Sequence, residues 1–147
     1  MNSFLKVIID NFKGVNHQEI VYLLQRLGLK LGYIFTWTKL GLECENLGRD
    51  LHKVLNFPTR PSDTLPRFQK NFLDSIEEIK ALITVDEKVY LNQQDWIRLL
   101  VLYDLLRFFS GWTHSDIGEF LLKEPSFIHM YPYLDHASLK IWEVLIK

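Results

Sequence analysis

Apolar residues recur at every third or fourth position through most of the chain, the period of a helix rather than the alternation of a strand. In residues 3–12, Leu5, Ile8, Ile9 and Phe12 share one helical face, while Lys6 and Asp10 lie on another. The β-branched "LKVII" would also suit a short strand, but the spacing favours a helix, ended by Lys13-Gly14. Asn16, with Glu19 three residues on, has the spacing of a capping box. It opens a proline-free stretch from His17 to about Leu55 that carries Gly28, Gly32, Gly41 and Gly48. Glycine inside a helix costs about 1 kcal/mol against alanine. The stretch therefore breaks near Gly32 or Gly41, or uses its glycines for close helix approach, with Gly28 and Gly32 one turn apart. An interrupted helical hairpin is the expectation.

"NFPTRPSDTLPRF" holds Pro58, Pro61 and Pro66 and reads as a linker over residues 56–66 between two helical halves. Thr64 or Asp63 is positioned to cap the next helix, with Pro66 in its first turn. There Phe68, Phe72, Ile76, Ile79 and Ile83 form a narrow apolar stripe. "VDEKVYLNQQ" is a connection with a strand-like "KVYL", and Asn92 is the N-cap of a helix running to about Phe109. That helix is apolar almost all round, which places it at the centre of a core; Asp95 with Arg98 and Asp104 with Arg107 are its i,i+3 polar pairs. Ser110-Gly111 closes it. A short helix follows to Lys123, then "PSFIHMYPYL" between two prolines, then a last helix capped by Asp135. The sum is an all-α fold: one helical domain over residues 1–147, with six or seven helices.

Composition narrows the function. The 147 residues are 48 % hydrophobic and 24 % charged, as in an ordinary globular domain, with a formal net charge of −1. A chain without basic excess makes a nucleic-acid partner unlikely. Cys44 is the only cysteine, so neither a disulfide framework nor a cysteine-rich zinc site is possible. The five histidines lack the i,i+4 spacing of paired ligands, and no glycine loop of the phosphate-cradling kind occurs. No cofactor is expected. The N-terminus has no basic region followed by a clean apolar one, and the longest apolar run is interrupted by Arg98, Asp104 and Arg107. The expectation is a cytoplasmic protein without a membrane span.

Two short stretches carry resemblances. "GWTHSDIGEFL" resembles the first helix of helix-turn-helix regulators, which would make residues 112–134 a DNA-reading unit. The segment after it contains Pro125 and Pro132 and no arginine, and so lacks the usual base-contacting group. Arg107, followed by His114, resembles the Arg-x4–6-His element of HEPN-type ribonucleases, small helical dimers. The resemblance implies proton transfer by His114 and phosphate stabilisation by Arg107. Here Phe108 stands where that family has a polar residue.

Neither element is as informative as the aromatic surplus. Trp37, Trp96, Trp112 and Trp142, with the "FIHMYPYL" stretch, supply more large rings than a core of this size needs. Aromatic and methionine patches mark protein interfaces. The expected function is a non-catalytic interaction or assembly module that binds a protein partner or itself, as a homodimer for instance, through Trp112, Phe127, Met130, Tyr131 and Tyr133.

Overall fold

A computed structural model describes residues 2–38, 41–56 and 69–146. Among these residues the regular structure is mainly helical: α1 (Asn2–Asn11), α2 (His17–Arg26), α3 (Glu45–Asn56), α4 (Gln69–Ile83), α5 (Gln93–Asp104), α6 (His114–Lys123) and α7 (Leu134–Val144). One antiparallel hairpin, β1 (Thr36–Thr38) with β2 (Gly41–Glu43), pairs Trp37 with Leu42. The chain forms two compact units, Met1–Lys80 and Ala81–Lys147, with the boundary inside α4. Past Asn56 the proline-rich linker lies outside the described residues, as do the capping positions Asp63 and Thr64, together with Pro66.

In the first unit, α1 buries Phe4, Leu5, Ile8 and Phe12 and packs on α2 and α3. Phe4 sets its ring edge-on against Phe72, with centroids 4.6 Å apart. Asn16 caps α2, its side-chain oxygen accepting from the amides of Gln18 and Glu19 at 2.9 and 3.2 Å. The long proline-free stretch is not a helical hairpin. At the end of α2 the amide of Leu29 donates to Leu24 O and that of Gly28 to Gln25 O, with Gly28 at φ +111°. This is the glycine-terminated closure that ends a helix outright, because a left-handed residue turns the chain off the axis. Gly28 and Gly32 are thus turn positions, both at positive φ, rather than a helix-packing face.

Two glutamines of α2 hold the segment beyond it. Gln25 donates to Tyr33 O and accepts from Tyr33 N, both at 2.9 Å. Gln18 accepts from the amide of Cys44 at 2.7 Å. Tyr33 donates its phenol proton to Asp50 on α3 at 2.6 Å. Burial first, and that carboxylate second, push the Tyr33 phenol well above its usual range.

In the second unit α5 is the buried helix, with Trp96, Ile97, Leu99, Leu100, Val101, Leu102 and Tyr103 all inside. Asn92 caps it, accepting from the amide of Asp95 at 2.8 Å. Side chains from its first turn take the last carbonyls of α4: Trp96 Nε1 donates to Leu82 O at 3.2 Å and Gln93 Nε2 to Ile83 O at 3.3 Å. Those carbonyls have no partner within their own helix. "KVYL" is not a strand. Lys88 closes an aspartate turn onto Asp86, and Val89 points inward from it.

The end of α5 widens into a π-helical turn, Leu105–Phe109, in which Ser110 N donates to Leu105 O at 3.1 Å. α7 packs along α5. A 3-10 helix, Ile128–Tyr133, leads straight into α7, so Leu134 N donates to Tyr131 O and no side-chain cap is needed. Asp135 therefore does not cap α7, and its carboxylate is spent elsewhere.

Candidate interaction surface

The surface begins where α5 ends. Gly111 at φ +73° turns the chain, and Trp112 N donates back to Leu106 O at 2.9 Å. In an ordinary glycine closure that bond would reach Arg107; the π turn lengthens it by one residue. Trp112 thus has its backbone tied to α5 and its ring laid over α6. Thr113 is the N-cap of α6 and forms a full capping box with Asp116. The Asp116 carboxylate accepts from the Thr113 amide at 3.1 Å, and the Thr113 hydroxyl accepts from the Asp116 amide at 3.1 Å. The bond from the Thr113 backbone, more than that with its side chain, holds the Asp116 carboxyl below the usual range.

A depressed carboxyl stabilises the fold above its unfolded pKa and loses that contribution as pH falls through the folded one. The stability gap between the wild type and Asp116→Ala is therefore expected to shrink as pH drops from about 6 to about 2. Urea titrations of both proteins across that range would show it, and a gap independent of pH would refute the assignment.

Three rings run along α6. Trp112 meets Phe120 edge-on at 5.8 Å, and Phe120 meets Phe127 at 5.8 Å and 36°. Trp112, Asp116, Glu119, Phe120 and Lys123 line a cleft of about 340 Å³. Phe120 is the member the sequence pattern did not single out, and it is the one that joins Trp112 to Phe127. On another side of α6, Tyr131 lies over Gly118, where an added methyl would sit 3.4 Å from its ring.

The 3-10 helix sorts the remaining expected contacts. Residues three apart eclipse in such a helix. Phe127, Met130 and Tyr133 fall on one ridge, on which Met130 is only 1 % exposed while Phe127 and Tyr133 stay half-buried. Met130 is a core residue and does not contribute to a surface. Tyr131 lies on the outward ridge at 40 % exposure. A further apolar area lies on α7, where Leu139 is 69 % and Trp142 45 % exposed and Phe108 packs edge-on against Trp142.

His114 and Asp135 meet across 21 residues of sequence, with Nε2 donating to Asp135 Oδ1 at 2.8 Å. With the proton there, Nδ1 accepts from the Tyr103 hydroxyl at 3.4 Å, which in turn accepts from Ser138 Oγ at 2.9 Å. A Ser138–Tyr103–His114–Asp135 chain joins α5, α6 and α7. In this arrangement Asp135 faces one ring nitrogen of His114 and the Tyr103 hydroxyl faces the other. Arg107 lies in the π turn with its guanidinium 5.6 Å from the Phe108 ring centre. His129 donates to Asp95 at 3.0 Å, tying the 3-10 helix to α5. The segment after α6 in the helix-turn-helix resemblance is this six-residue 3-10 helix, not an α-helix.

His136 is different. Its Nδ1 is buried without a hydrogen-bond partner. An unmet buried polar atom costs about 1–3 kcal/mol. His136→Leu is expected to raise stability by about 1 kcal/mol, read as a higher melting temperature. A lower one would show that the nitrogen is satisfied.

In the first unit a cleft of about 570 Å³ runs past Cys44, Gly48 and His52. Its charges offset one another, Arg49 being paired with Glu45 at 3.4 Å. Cys44 is buried and free. Among the described residues no group of three His, Cys, Asp or Glu is placed to hold a metal ion, and no helix is long and apolar enough to cross a membrane. Comparison with protein-family models, curated proteins and solved structures returns no match, so this surface is characterised by its own geometry.

Proposed function

We propose that the chain is a protein-interaction module that binds a partner protein through the Trp112–Phe120–Phe127 face of its second unit and carries no catalysis of its own. The observation that supports this most is the ring row itself. Trp112 and Phe120, fixed by a capped helix and a backbone closure, border a cleft, Phe127 stands beside Phe120, and all three rings stay half-buried. Rigid aromatic anchors of this kind dominate binding energy at interfaces, because they bury large area with few rotatable bonds. A cytoplasmic setting fits such a module.

Selection of a random displayed peptide library on the wild-type chain tests the proposal. Peptides are expected that bind the wild type and lose about tenfold or more on Trp112→Ala, which keeps its helical circular dichroism. Self-association through the same face would appear instead as a concentration-dependent mass, lost in that variant. RNA cleavage abolished by His114→Ala would replace this proposal with the ribonuclease alternative. Salt-sensitive retention on duplex DNA would replace it with the regulator.

A further inference from the structure

We infer that the Trp112–Phe120 cleft is a seat for an arginine side chain of the partner; this rests on the interaction role proposed above and specifies its ligand. Helical spacing puts Asp116, Glu119, Phe120 and Lys123 on neighbouring positions of α6, and all four line the cleft with Trp112. Its lining includes an indole and a phenyl ring set edge to face. A ring face attracts a cation through its quadrupole, and indole does so most strongly.

Charge supplies the second argument. Two carboxylates stand against one ammonium in the cleft. Asp116 spends Oδ2 on the Thr113 amide, and Oδ1 has no partner among the described residues. Glu119 and Lys123 form no ion pair among the described residues, although they are one turn apart. The Glu119 carboxylate is therefore available in the same cleft as the rings.

Of the two basic side chains, arginine fits better. Its guanidinium is flat enough to stack on Trp112 and can present a forked pair of donors to one carboxylate at the same time. A lysine ammonium is more strongly hydrated and has neither the flat face nor the forked donors. An acidic residue following the arginine in the partner segment would reach toward Lys123.

The test uses the full chain labelled with ¹⁵N and titrated with acetyl-Ala-Arg-Ala-Arg-Ala-amide, against the same peptide with citrulline at both arginines. Citrulline keeps the shape and loses the charge. Saturable shifts are expected at the Trp112 indole N–H, weakened roughly tenfold by citrulline. Glu119→Gln should weaken binding several-fold. Lys123→Gln should strengthen it, which a merely structural role for these residues would not do. Equal binding of the citrulline peptide overturns the assignment, as does a response spread over the acidic surface without Trp112. If library peptides engage Trp112 and the arginine probe does not, the interaction role survives and only the arginine seat falls. If nothing reaches Trp112, both fall.

Discussion

Trp96→Ala is expected to cost about 3–5 kcal/mol of folding stability, the usual range for emptying a buried aromatic site. Trp96 is among the largest fully buried side chains, lodged in α5 amid Ile97, Leu99 and Leu100. Its removal leaves a cavity in a helix surrounded by packed neighbours, where the walls cannot easily collapse. It also strands the Leu82 carbonyl at the end of α4, which the indole N–H satisfies at 3.2 Å. Against a total stability of about 5–15 kcal/mol, such a loss brings the protein close to unfolding. A urea midpoint lowered by more than about 1 M would record it. Trp96→Phe keeps most of the volume and loses the donor, so it is expected to cost about 1–3 kcal/mol, mainly from the orphaned carbonyl. A loss below about 1 kcal/mol for the alanine variant would mean that α5 is not the buried helix of its unit.

Tyr103→Phe is the second large effect, expected at about 1–3 kcal/mol for an almost purely polar change. The ring stays, buried as before, but the hydroxyl that gives to His114 and takes from Ser138 is gone. The three helices α5, α6 and α7 lose an oxygen that they share. Ser138→Ala alone removes only the incoming bond and should cost about 1 kcal/mol. The double variant should cost little more than Tyr103→Phe alone, because the bond lost by the second change is already absent. Additive losses would show that the two hydroxyls do not interact.

The caps at Asn16 and Asn92 were readable in the chain because capping is chemistry between residues two or three apart. The amphipathic stripe through Phe72, Ile76 and Ile79, and the all-round greasiness of α5, were equally local signals. What was hidden depended on distance or on unusual winding. The Gln25 clamp on Tyr33 spans a loop, and the hairpin strands are three residues each, too short to show alternation above noise. His114 finds Asp135 only after the chain has passed through a 3-10 helix, so Asp135 read as a cap. The "FIHMYPYL" stretch read as irregular, which gave no basis for separating an inward Met130 from an outward Tyr131. With three residues per turn the two ridges divide cleanly. Of the surface, Trp112 and Phe127 were visible in advance, and Phe120 between them was not, because on α6 alone it looks like ordinary core.

The wide turn at Leu105–Phe109 means that this helix accommodates one more residue than α-winding would use between Asp104 and Gly111. A chain shortened by one position there could rewind into ordinary α-turns and bring Gly111 to the same point in space. The place is thus tolerant of a length change that would shear the register of any neighbouring coil, and a shortened version would keep Trp112 where it stands while altering which of Arg107, Phe108 and Phe109 faces outward.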